Sequence, residues 1–192
     1  SVRVVEDAGA FELVIEPRHP VMDYNSEISL LTGMVAGSMM VEAGVGFLRT
    51  LGPAPRDAEA DFRREARNLG YEVTGGIGEF LAGVDADTPA GMAVMREAQK
   101  LLRGSGYVDL REKQPEVHAG IGGYYSHVTA PLRRLVDRYA TEVCLAICGG
   151  YGIPAWVYND APEVMATMAR TSQLANTVDR AALNLTEATV LE

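Results

Sequence analysis

The sequence predicts an α+β fold that is mainly helical, with a small N-terminal β-hairpin. Three observations carry this expectation. Strand signal is concentrated in two short runs, Val2 to Val5 and Phe11 to Ile15. Apolar residues recur at helical spacing through most of the remaining chain, in runs bounded by Pro or Gly. Composition, at 47% hydrophobic and 22% charged residues, is that of an ordinary soluble globular domain.

The first two strands are joined by a turn at Asp7-Ala8-Gly9. An isolated hairpin is marginal, so it either packs flat on the helices or belongs to a sheet that began before Ser1. The start at Ser rather than Met fits a processed or truncated chain. Glu16-Pro17-Arg18-His19-Pro20 is a stiff connector, because two prolines fix its backbone.

A helix is expected from Ser26 to Thr50, with Asp23 and Asn25 as caps and Ile28, Leu31, Val35 and Met39 as its apolar stripe. Its many small residues, Gly33, Ala36, Gly37, Ala43, Gly44 and Gly46, mark it for close approach by a neighbour. Glu27 falls in its first turn, where its charge suits the dipole. Gly52-Pro53-Ala54-Pro55 breaks the chain, and Asp57 then caps a helix to Leu69, with Ala58, Phe62, Ala66 and Leu69 inward and Gly70 as its stop. Arg63, Arg64 and Arg67 lie on its solvated side.

Gly75 to Val84 reads as a short helix or turn. Asp85 and Asp87 precede Thr88-Pro89 as caps rather than as metal ligands. A helix follows from Pro89 to Arg103, with Met92, Met95, Ala98, Leu101 and Leu102 toward the core. Tyr107 to Leu110 is a strand or an extended link. A helix from about Pro131 to Cys148 is expected to bury Leu132, Val136, Tyr139, Val143 and Ile147, leaving Arg133, Arg134, Asp137 and Arg138 off the stripe. Tyr151 to Tyr158 is a loop holding Trp156. Asp160 and Glu163 have capping-box spacing for a last helix to about Glu187, carrying Met165, Met168, Ser172, Ala175 and Leu183. A chain of 192 residues suits one domain with a sizeable core.

The segment with the most chemistry is His118 to Arg138. His118, Tyr124, Tyr125, Ser126 and His127 run into Thr129-Ala130-Pro131, which reads as a helix start with Arg133 and Arg134 in the first turn. A helix N-terminus with paired guanidinium groups suits phosphate. An ordinary loop-to-helix junction with solvated arginines explains the same residues, and spacing alone leaves both readings open.

The run Tyr125-Ser126-His127-Val128-Thr129-Ala130-Pro131-Leu132-Arg133-Arg134, followed by Asp137, resembles the signature of the ribonuclease II/R (RNB) exoribonucleases. That signature is roughly Tyr-Thr-His-Phe-Thr-Ser-Pro-Ile-Arg-Arg-Tyr-x-Asp. His118-Ala119-Gly120-Ile121-Gly122 resembles the His-Tyr-Gly-Leu-Ala block before it, and Glu16-Pro17-Arg18 with Glu27 resembles a further pair of family positions. Arg49 echoes an arginine at a helix end. The resemblance implies that residues 1–192 form the C-terminal, helical part of an RNB-type catalytic domain. It implies 3′-to-5′ hydrolysis of single-stranded RNA to nucleoside 5′-monophosphates, with Arg133 on the scissile phosphate. By the same resemblance, Glu27, His118, Tyr125, His127, Thr129 and Arg134 line the RNA path.

Phosphodiester hydrolysis of this kind commonly uses two metal ions. The family's aspartate-rich Mg²⁺ site finds no match here, so its ligands are expected upstream, in a missing N-terminal part of the same protein that would also be a partner. The isolated chain is then expected to bind RNA weakly and cleave nothing. Ala130, Leu132 and Leu135 depart from the family's Ser, Ile and Tyr, which keeps a non-catalytic RNA-binding or regulatory relative as the second reading.

A net charge of −9 argues against a protein that grips nucleic acid by bulk positive charge, an objection that weakens where the positive groups are local. Cys144 and Cys148 are expected as reduced core thiols, and a reducing cytoplasm is the expected location. No apolar run reaches membrane-spanning length.

Overall fold

The computed structural model describes the backbone of residues 2–7, 10–15 and 19–191. Ala8 and Gly9 of the expected turn, and the Glu16-Pro17-Arg18 connector, lie outside the described residues. The architecture is the expected one, mainly helical with little sheet. β1 (Val2–Asp7) pairs antiparallel with β2 (Ala10–Ile15), in a register that sets Val2 opposite Ile15 and Asp7 opposite Ala10. Among the described residues, no helix is long and apolar enough to cross a membrane.

α1 spans Pro20–Ala43. It starts earlier than expected because Pro20 sits at its first position, where a missing N–H costs nothing, with His19 as N-cap. Asp23 and Asn25 are therefore inside it, and Glu27 lies two turns in, beyond the reach of the helix-end charge. It also ends earlier. Gly44 is left-handed at φ 68°, and its N–H and that of Val45 bond back to the carbonyls of Val41 and Met40, a Schellman stop. The tail expected as helix is instead β3 (Phe47–Thr50), which pairs with β4 (Gly106–Asp109).

The remaining elements are α2 (Arg56–Asn68), α3 (Ile77–Ala82), α4 (Pro89–Ala98) with a 3-10 turn at Gln99–Leu101, α5 (Leu135–Gly149) and α6 (Ala155–Leu191). The last helix begins before the expected capping box, so Trp156 is helical and Asp160 instead accepts a hydrogen bond from Tyr139 (3.0 Å). Pro162 sits inside α6, which forgoes one ladder hydrogen bond there.

The chain packs as two compact units: Arg49–Tyr107 with Glu116–Tyr124, and Ser1–Leu48 with Val108–Pro115 and Tyr125–Glu192. The first is built on Phe62, Ala66, Val94 and Ala98. Phe80 meets Phe62 and Tyr71 edge-on, with centroids 6.2 and 6.0 Å away. Phe62, Ala66 and the stop at Gly70 stand as expected. Arg63 does not: it donates to the carbonyls of Val73 (2.9 Å) and Gly75 (3.0 Å) and holds that loop against α2. Thr88 caps α4 through the Gly91 N–H (3.0 Å), and Asp85 binds the Asp87 N–H in a local turn (3.0 Å). Met92, Met95 and Leu102 are exposed rather than core, and Val94 fills that place.

The second unit buries Met40, Phe47, Leu48, Val136, Ala140, Val143, Val157 and Ala161. α1 packs on α5 and α5 on α6. The expected stripe of α1 is overturned: Ile28, Leu31 and Val35 are exposed, while Gly33, Ala36, Gly37 and Met40 are buried. In α6, Val157, Ala161, Val164 and Met168 are buried, whereas Ser172 is half-buried and Ala175 and Leu183 are exposed. Cys144 is half-buried and Cys148 exposed, so neither is a core thiol. Burial and the neighbouring Cys148 push the Cys144 thiol up from its usual value.

Candidate functional site

The segment from Tyr125 to Asp137 is fixed to its unit through Ser126. Ser126 is buried, its N–H bonds the Gly33 carbonyl of α1 (3.0 Å), and its hydroxyl donates to the Phe47 carbonyl of β3 (2.7 Å). Gly33 explains why a side chain of that helix had to be absent. A Cβ there would run into the Tyr125 ring and lie 2.8 Å from the Ser126 carbonyl oxygen. Gly33→Val is expected to lower stability by about 1–3 kcal/mol, as overpacking does, and urea unfolding measures it. An unchanged midpoint would show that the ring and α1 are not in close packing.

The helix start expected at Thr129-Ala130-Pro131 is absent. Residues 131–133 form a turn in which the Ala130 carbonyl accepts from the N–H groups of Arg133 (3.2 Å) and Arg134 (3.0 Å). α5 begins only at Leu135, and its N-cap, Arg134, has extended backbone with no side-chain cap bond. Thr129 is exposed and caps nothing, and Leu132 is 97% exposed rather than buried.

What holds this turn is Asp137, placed off the buried stripe by periodicity but 0% exposed. One carboxylate oxygen accepts from the Ala130 N–H (2.7 Å). The pair also takes the Arg134 fork, Nε at 2.9 Å and a terminal nitrogen at 2.9 Å. This is a bidentate, charge-assisted contact that fixes orientation as well as energy. The negative charge at the positive end of α5 is thus supplied from within the protein. Arg134 is engaged in this pair, with its side chain 16% exposed. Arg133, next to it on the turn, is exposed.

Tyr125 and His127 are half-buried and meet edge-to-face, centroids 5.5 Å apart and planes at 84°. Glu27 is exposed on α1. The structure therefore brings together Tyr125, His127, Thr129, Arg133 and Arg134 on one pinned segment. Glu27 reaches the same unit from a different element. Sequence reasoning named Ser126 as a possible donor and Asp137 as part of the run, but missed that both are buried anchors of this segment. The three-residue interval from Arg134 to Asp137 was the available signal for Asp137.

His118 belongs to the other unit. Its segment closes on itself: the His118 N–H bonds the Gly123 carbonyl (2.9 Å), and the His118 carbonyl accepts from Ile121 (2.9 Å) and Gly122 (2.8 Å). Gly122, at φ 78°, supplies the left-handed residue the loop needs. Desolvation first, then the charge of Arg49, lowers the His118 pKa below 6.5. The folded state then binds fewer protons than the unfolded state. Stability from this group is present in full above pH 6.5 and is lost as the pH falls through the depressed folded value. Urea unfolding between pH 7.5 and 5 should show a steeper loss for the native sequence than for His118→Gln. Equal slopes would contradict it.

Among the described residues, no three His, Cys, Asp or Glu side chains converge to hold a metal ion. These residues do not fit a magnesium site of the kind the resemblance implies.

No protein-family model matches the sequence, and no curated protein matches it. Solved structures do. The chain is similar over 100% of its length to Mycoplasma genitalium RNase R in its apo form, with TM-score 0.76 and 12% identity. It is similar to the same enzyme in complex with ribose-methylated single-stranded RNA, with TM-score 0.73 and 13% identity. A third match is that enzyme in complex with double-stranded RNA, with TM-score 0.73 and 12% identity. The chain spans 32%, 32% and 36% of the apo, single-stranded and double-stranded RNA chains respectively. At this identity the likeness establishes a fold shared with part of RNase R.

Proposed function

We propose that the chain is part of an exoribonuclease that hydrolyses single-stranded RNA from 3′ to 5′, releasing nucleoside 5′-monophosphates, and that Arg133 stabilises the scissile phosphate. One observation carries the reading above the others. The chain shares a fold over its whole length with RNase R, and Arg133, which the sequence resemblance matches to the family's phosphate-contacting arginine, stands exposed on a turn pinned by Asp137. An attacked phosphate gathers negative charge, and a guanidinium held in place beforehand stabilises it without reorganising. Asp137 and Arg134 supply that rigidity, so Arg134 acts in RNA binding by holding the turn.

Tyr125 and His127 offer ring faces and edges for bases, as single-strand-binding channels do. Thr129 offers an exposed hydroxyl beside them, and Glu27 an exposed carboxylate for the end of the RNA chain. His118, in the other unit, is assigned to RNA binding on the sequence resemblance. We assign residues 1–192 to the C-terminal part of an RNB-type domain. The magnesium dependence of that family would draw on ligands outside these residues. A cytoplasmic location suits an RNA-degrading enzyme with reduced thiols. A non-catalytic RNA-binding relative is the second reading, favoured by the lost hydroxyl and ring at Ala130 and Leu135.

The test uses the intact protein with Mg²⁺ and RNA labelled at either end. Early release of the 3′ label as mononucleotide, with progressive shortening of 5′-labelled RNA, is expected. Internal fragments or release from the 5′ end would contradict the proposal. Binding without cleavage would establish the second reading. The 192-residue chain by itself is expected to bind weakly and leave both labels intact.

A further inference from the structure

Cys144 and Cys148 play no part in the RNA reading, yet they share a groove. One turn apart on α5, they lie on the same side of the helix, with Cβ atoms about 5–6 Å apart at that spacing. Both line a groove of about 500 Å³ whose other walls include Leu31, Val35 and Met39 of α1, and Val128. Cys148 is exposed and gives access from solvent, while Cys144 is half-buried. The groove therefore gathers three sulfur side chains from two helices against apolar walls.

We propose that Cys144, Cys148 and Met39 form a binding site for one soft monovalent cation of the copper(I) class. Thiolate and thioether donors select such ions. Zinc prefers four ligands drawn from thiolate, imidazole and carboxylate. Among the described residues, no three His, Cys, Asp or Glu side chains converge, so the third donor available here is the thioether. The groove is mostly apolar, with Thr32 and Thr141 its hydroxyl-bearing residues and neither an anionic oxygen donor, which disfavours harder cations. Binding is a ligand exchange without redox change: copper(I) releases the ligands it arrived with, two metal–sulfur bonds form to the cysteines as their two thiol protons leave to solvent, and Met39 donates a lone pair to form a third.

The experiment is an anaerobic titration of the full, reduced protein with copper(I), in competition with a chromophoric copper(I) chelator. One ion per chain is expected. Cys144→Ser and Cys148→Ser should each lose the complex that survives competition. Met39→Leu should weaken it while keeping one ion per chain. A measurement that needs no variant guards against misfolding: one equivalent of copper(I) should protect both thiols of the native sequence together from alkylation, read by mass spectrometry. Two ions per chain, protection of Cys148 alone, or undiminished binding by either cysteine variant would overturn the site. Unchanged binding by Met39→Leu, or equal affinity for zinc, would overturn its assignment to the copper(I) class.

Discussion

Replacing Asp137 by alanine is expected to lower the stability of the protein by about 3–5 kcal/mol, the cost of breaking a buried ion pair by removing one partner. The carboxylate is 0% exposed and accepts from the Ala130 N–H and from two nitrogens of Arg134. Its loss leaves a largely buried guanidinium without its counter-charge and a backbone N–H without its acceptor. Each is an uncompensated group in a medium where desolvation is expensive. For a chain of this size the loss corresponds to a fall in melting temperature of roughly 6–20 °C. Asp137→Asn should fall between the two, since an amide can still accept from Ala130 but carries no charge for Arg134. Thermal melts of the three proteins measure this. A shift of under about 1 kcal/mol, the range of an exposed pair, would show that Asp137 does not anchor the turn.

Why was this residue misplaced by its sequence pattern? Periodicity assigns charged positions to the solvent side, and Asp137 is buried only because Ala130 and Arg134 are folded back onto it. Those partners lie outside α5, on a turn whose existence the helix-start signal of Thr129 and Pro131 concealed. The same limit governs α1. Ile28, Leu31 and Val35 have helical spacing and would be read inward, yet Gly33, Ala36 and Gly37 face the neighbour. Close packing rewards a shape that fits, and here the fit is a tyrosine ring and a backbone carbonyl against a bare Cα. The small-residue composition of that helix was the legible clue, and it correctly announced a close approach.

Features set by neighbours in sequence were readable without three dimensions. Thr88 caps α4, Gly70 follows the end of α2, and Phe62 and Ala66 form the core. β3 was hidden because Gly44 and Gly46, read as small helical residues, are in fact the positive-φ break that ends α1. For the candidate site, the chemical types were legible in the run from Tyr125 to Arg134. The division of labour between the two arginines was not, because it depends on which one Asp137 engages.

That division makes the second large effect specific. Arg133→Ala in the intact protein is expected to reduce RNA cleavage by about 10²–10³-fold, the range for removing one preorganised donor from a developing charge. Arg133 is exposed on the turn, so the substitution should leave the melting temperature nearly unchanged, in contrast to Asp137→Ala. RNA affinity should change far less than turnover, because an interaction made only in the transition state lowers kcat and kcat/KM together. Arg133→Lys should recover little, since an ammonium cannot reproduce the planar fork.

The most direct test is single-turnover cleavage of a 5′-labelled single-stranded RNA by the intact protein and its Arg133→Ala variant, with binding measured on the same RNA. A loss of about 10²–10³-fold in the cleavage rate, at nearly constant affinity, is the expected result. Equal cleavage rates would remove Arg133 from the chemistry and contradict the account.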